Sequence, residues 1–115
     1  MKKFYVLYKT PTAVIDEWMK LPEEERKTQM KDMETEWNQW MAKHADILKE
    51  TQGLGKPKNV TASGVTDARN DLMMYSIAEA DNAEVLAEMF KDHPHFKIPE
   101  SSIEIMPINP LPPTQ

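Results

Sequence analysis

Leu72-Met73-Met74-Tyr75-Ser76-Ile77-Ala78-Glu79-Ala80-Asp81-Asn82, a short helical pattern, His93-Pro94-His95-Phe96 and then Ser102-Ile103-Glu104-Ile105-Met106-Pro107-Ile108 form the stretch that decides the fold. It reads as a strand, a helix capped by Asp81 or Asn82 and carrying Val85, Leu86, Met89 and Phe90, a histidine-bearing turn, and a second strand. Pro94 and Pro99 bar the helix from continuing, because proline lacks the amide proton a helix needs. Met73, Tyr75 and Ile77 alternate with Leu72, Met74, Ser76 and Ala78, so this strand carries apolar groups on both faces.

Upstream, Phe4 to Tyr8 is apolar at every position, which predicts a central strand buried on both faces. Thr10 offers an N-cap with Pro11 at the first helical position, followed by Val14, Ile15, Trp18 and Met19 at helical spacing. Pro22 opens the longest helix, with Glu23, Glu24 and Glu25 complementing its dipole. Met30, Met33, Trp37, Trp40, Met41, His44, Ile47 and Leu48 then form one apolar stripe, predicted to run to a stop at Gln52-Gly53. Asn59 to Val65 is a weaker strand, expected to pair with Leu72 to Ala80 as a hairpin with a long tip.

The order β, helices, β, β, α, β predicts an α+β fold: a ferredoxin-like βαββαβ unit with an extra helix, its four-stranded antiparallel sheet covered by helices on one face. One domain spans residues 1–115, ending in a proline-rich extended tail from about residue 107 that contains Pro110, Pro112 and Pro113. The uncovered sheet face is apolar, so a homodimer is expected.

Composition narrows the function. There is no cysteine, which removes disulfides, thiolate metal sites and thiol nucleophiles. A formal net charge of −5 argues against nucleic acid as a partner, since phosphate binding is driven by clustered cations. The opening apolar run is broken by Lys9 and Pro11, too early for a secretory signal, and no stretch is apolar enough to cross a membrane, so a cytoplasmic protein is expected. No phosphate loop or nucleophile elbow is present, and no cofactor is assigned.

The candidate site residues are three histidines and the aromatics around them. His44 lies in the apolar stripe beyond Trp37 and Trp40: either a neutral imidazole facing an indole-lined pocket or a core histidine bonded to a backbone carbonyl. His93 and His95 flank Pro94, and the readings are ligand or catalytic contact, helix capping, or a metal site completed by Glu100 or Glu104. A His-x-His pair without a third ligand defines no metal centre, so no metal is assigned. Trp18, Trp37 and Trp40 are either core or the wall of a pocket for a flat organic molecule.

The strand Met74 to Asp81, the helix after it, the His93-Pro94-His95 turn and Ser102-Ile103-Glu104-Ile105 with its proline-ending tail resemble the YCII-related proteins of the dimeric α/β-barrel superfamily. The opening Lys2-Lys3-Phe4-Tyr5-Val6-Leu7-Tyr8 is similar to that family's first strand. The resemblance implies a homodimer with two sheets packed face to face and a cleft between sheet, long helix and His-Pro turn. It also implies a His and Asp pair for acid–base chemistry. Here the helical histidine's place falls near Ala42, and His93 stands where many relatives have Asp before the proline.

The expected function is therefore a homodimer that binds a small apolar or aromatic metabolite. Trp37, Trp40, His95 and Tyr8 are the expected ligand contacts. Any catalysis is expected to be cofactor-free proton transfer or elimination, with His93 as base and His44 or Tyr75 as orienting donor. The alternative is a non-catalytic interaction or sensing module.

Overall fold

Alternation along the first strand sets the architecture. In β1 (Lys2–Lys9), Phe4, Val6 and Tyr8 are buried, whereas Tyr5 and Leu7 on the other face are only half-buried. The strand is central but covered on one side, which corrects the expectation of burial on both faces. The structure, a computed structural model, describes residues 1–111. Pro110 lies outside any helix or strand, and Pro112 and Pro113 of the expected tail lie outside the described residues.

Two helices follow: α1 (Thr12–Met19) and α2 (Glu23–Lys43). Pro11 rather than Thr10 occupies the N-cap of α1, and no side chain caps it. The Thr10 hydroxyl is instead bonded to that of Ser101 over 2.8 Å. The stripe on α2 buries Trp37 and Trp40, while Met30, nearer the start, is 61% exposed.

The largest correction concerns the end of α2. It stops at Lys43 with His44 as C-cap, and Leu48–Gly53 forms β2 rather than more helix. Strand β5 (Leu72–Ala80) would otherwise present a row of unpaired backbone groups on that side, and β2 satisfies them through pairs such as Leu48 with Ala78 and Thr51 with Ser76. Lys49, Glu50 and Gln52 lack the apolar alternation of a strand because this is an edge, where one face stays in water.

The expected hairpin between Asn59–Val65 and β5 does not form. Residues Lys58–Thr61 (β3) and Gly64–Asp67 (β4) pair with each other in a separate two-stranded sheet. Gly64, read as weakening a strand, follows the two-residue turn with φ +148°, a conformation that side chains disfavour. Every residue of this arm is exposed, and Arg69 anchors its base to α1 through both Asp16 carboxylate oxygens.

Helix α3 (Ala83–Met89) begins at Asn82, whose Oδ1 accepts from Val85 N over 2.8 Å. A 3-10 turn (Pro94–Lys97) and β6 (Ser102–Pro107) are the last elements among the described residues. The main sheet has the order β2-β5-β1-β6, all pairs antiparallel, so the fold is α+β, with three α-helices among the described residues, and is compatible with a ferredoxin-like arrangement. No helix among the described residues is long and apolar enough to cross a membrane.

Candidate functional site

The covered face of the sheet meets α2 and the 3-10 turn in a cluster of aromatic and imidazole rings. Tyr8 supplies the floor from β1, with its ring centroid 4.8 Å from Trp37, 5.2 Å from His93 and 5.7 Å from His95. Trp37 and Trp40, one helical step apart, stand 4.3 and 4.4 Å from His93. Phe90 of α3's C-cap stacks on the His93 ring at 5.8 Å. Five of the predicted residues, Tyr8, Trp37, Trp40, His93 and His95, thus converge from elements distant in sequence.

The two histidines are both buried, and backbone geometry fixes their roles. Pro94 holds His93 extended, and His93 Nδ1 accepts from the His95 backbone N–H over 2.9 Å. With its acceptor lone pair at Nδ1 occupied, the neutral ring carries its proton on Nε2. That Nε2 is buried and has no hydrogen-bond partner among the described residues. Burial pushes the His93 pKa down to about 3, with His95 and His44 acting in the same direction and Asp92 opposing. His93 is therefore a fixed neutral donor at physiological pH, which argues against the expected role of general base. Its side chain caps the 3-10 turn that follows rather than α3, while its backbone N–H donates to the carbonyl of Phe90, the C-cap of α3, over 3.1 Å.

His95 Nε2 donates to the Lys9 carbonyl over 2.9 Å and ties the turn to the end of β1. Burial lowers its pKa, with the carbonyls of Lys9 and Ser102 opposing. The two rings lie 6.5 Å apart at 73°, and among the described residues no group of three or more His, Asp or Glu gathers as a metal site.

The other two candidates lie apart. His44 is half-buried at the end of α2 with its ring 4.1 Å from Trp40, at the margin of the cluster. Tyr75 is on the opposite face of the sheet, where its ring stacks on Tyr5 at 5.5 Å and its hydroxyl donates to Glu50. It cannot orient a ligand held by His93. Trp18 is remote as well, bonded to Gln29.

Three participants were not anticipated. Asp92 accepts from Trp40 Nε1 over 3.1 Å, a bond that lowers its pKa. Ser76 and Thr51 extend the Tyr8 hydroxyl into a chain, with Tyr8 Oη to Ser76 Oγ 2.8 Å and Ser76 Oγ to Thr51 Oγ1 2.7 Å. Burial raises the Tyr8 pKa to about 12, so it stays a protonated hydroxyl. A serine amid the apolar residues of β5 was the one available sequence signal for this chain.

Two hollows are found among the described residues, neither of them lined by His93 or His95. One, about 310 Å³, is lined by Met41, Ala45, Leu48, Lys49, Glu50 and Thr51. The other, about 100 Å³, lies between α3 and β6, and Phe90 separates it from His93. In comparison with known proteins, the chain matches no family model and no curated protein.

Proposed function

We propose that this chain is a homodimeric small-molecule-binding protein whose ligand is apolar or aromatic and carries an oxygen acceptor for His93 Nε2. The observation that carries this reading is the unpaired Nε2–H itself, on a side chain only 2% exposed inside a cage of aromatic rings. Leaving a buried donor unpaired costs about 1–3 kcal/mol, so a donor kept in this state needs a compensating role. The fixed tautomer and the depressed pKa favour binding over proton abstraction. The resemblance to YCII-related proteins, and with it a dimeric α/β barrel, points the same way. A thermal-shift screen of small phenols and carbonyl compounds tests the reading. A hit that stabilises the wild type and fails to stabilise His93→Leu, with the oligomeric state unchanged, supports it. Equal stabilisation of both proteins overturns the role given to His93.

A second observation supports homodimerisation. Tyr5, Leu7, Met73, Tyr75, Ile77 and Met106 share the uncovered sheet face by register and form an apolar surface of the right kind. If the histidine cluster is only a sealed core, the same surface makes the chain an interaction module without a ligand.

A further inference from the structure

We infer that the hollow between the end of α2 and edge strand β2 is a binding site for a small aliphatic carboxylate, with Thr51 as its hydrogen-bond donor. The site is separate from His93 and goes beyond the function proposed above.

Proton counting within the hydroxyl chain carries the inference. Among the described residues, Tyr8 Oη has one side-chain hydrogen-bond partner, Ser76; Ser76 Oγ has two, Tyr8 and Thr51; Thr51 Oγ1 has one, Ser76. Three hydroxyls bring three protons to two bonds, so one proton must be donated outside the chain. If the chain runs from Thr51 to Tyr8, the surplus proton is on Tyr8 Oη, buried among Trp37, His93 and Phe90 with no acceptor. If Ser76 accepts from both neighbours, its own proton is stranded at a fully buried side chain. Only the direction Tyr8 to Ser76 to Thr51 leaves the surplus proton where it is not sealed in, on half-buried Thr51, which lines the 310 Å³ hollow. The buried tyrosine thereby sets the polarity of a donor at the surface.

The rest of the lining defines what that donor would meet. Met41, Ala45 and Leu48 make the walls apolar, and the hollow is a shallow depression open to solvent rather than an enclosed pocket. Two charged residues stand on the rim. The Glu50 carboxylate is engaged by the Tyr75 hydroxyl, which belongs to the other face of the sheet. Lys49 stays at the rim, its ammonium donating one proton to the Asp46 carbonyl and keeping two. A hydroxyl donor and an ammonium beside an apolar wall suit a carboxylate with a short hydrocarbon body.

Hexanoate, with hexylamine as control, is the probe. Amide NMR of the full chain should show saturable shifts at Leu48 and Thr51 with hexanoate and none with hexylamine. Thr51→Val, which keeps the shape and removes the donor, should weaken hexanoate about tenfold. His93→Leu should leave it unaltered, so failure of the His93 reading and failure of this one remain distinguishable. Absence of saturable shifts at Leu48 and Thr51, or equal affinity of wild type and Thr51→Val, overturns the inference. Because Thr51 is on a half-buried edge strand, Lys49→Gln provides a second variant that leaves the fold alone, and unchanged affinity there removes the carboxylate from the proposal.

Discussion

The backbone N–H of His95 donates to Nδ1 of His93 over 2.9 Å, closing a tight loop around Pro94 within the aromatic cluster. This bond decides which ring nitrogen carries the proton, and burial decides that the ring stays neutral. Acid is the direct challenge to that arrangement. The folded-state pKa of about 3 lies below the ordinary value of 6.5, so between these values the unfolded chain binds the extra proton. Stability is then fully present above about pH 6.5 and lost as pH falls towards 3, by up to about 1.4 kcal/mol per pH unit. Urea denaturation between pH 7 and pH 4.5 should show this loss, and His93→Leu should flatten it. An equally steep loss in His93→Leu would mean that His93 is not the group responsible.

Trp40 joins the cluster and also donates to Asp92. Trp40→Ala should cost about 3–5 kcal/mol through the cavity it leaves. Glu36 lies on the same helix and pairs with Lys97 on the surface, so Glu36→Ala should cost about 0.5 kcal/mol. Chemical denaturation of the two variants in parallel measures the difference.

Ile77 is on the uncovered sheet face, opposite Tyr5 in the register. If that face joins two copies, the wild type sediments at micromolar concentration as a dimer, and Ile77→Lys shifts it to monomer by placing a charge inside the interface. A wild-type chain that sediments at 13.3 kDa rules the dimer out.

Asn82 supplies the side-chain cap of α3, a helix of only seven residues. Asn82→Ala should cost about 1 kcal/mol, and Asn82→Asp should restore most of it. Thermal denaturation of the pair distinguishes lost capping from lost packing, since neither change touches the core.

Local chemistry made much of this chain readable in advance. Alternation in Leu72–Ala80, the Asn82 cap, the proline after His93 and the indole spacing of α2 are properties of neighbouring residues, and each appears in the structure close to where the sequence puts it. The sequence alone also brought Trp37, Trp40, His93, His95 and Tyr8 forward as candidates, because aromatic and imidazole groups on apolar faces have few other places to go. What it did not determine depends on partners far along the chain. Residues Ile47 and Leu48 continue the helical period of α2, but the open edge of β5 captures Leu48–Gly53 as a strand. The exposed arm of β3 and β4 closes on itself because β5 already has β1 and β2 on its two sides. Tyr75 and Ser76 are neighbours in sequence yet serve opposite faces of the sheet, and which face meets Trp37 is decided by packing against α2. The His93 tautomer and the direction of the Tyr8–Ser76–Thr51 chain follow only from hydrogen bonds in three dimensions, because a proton's place is set by its acceptor and not by its residue type.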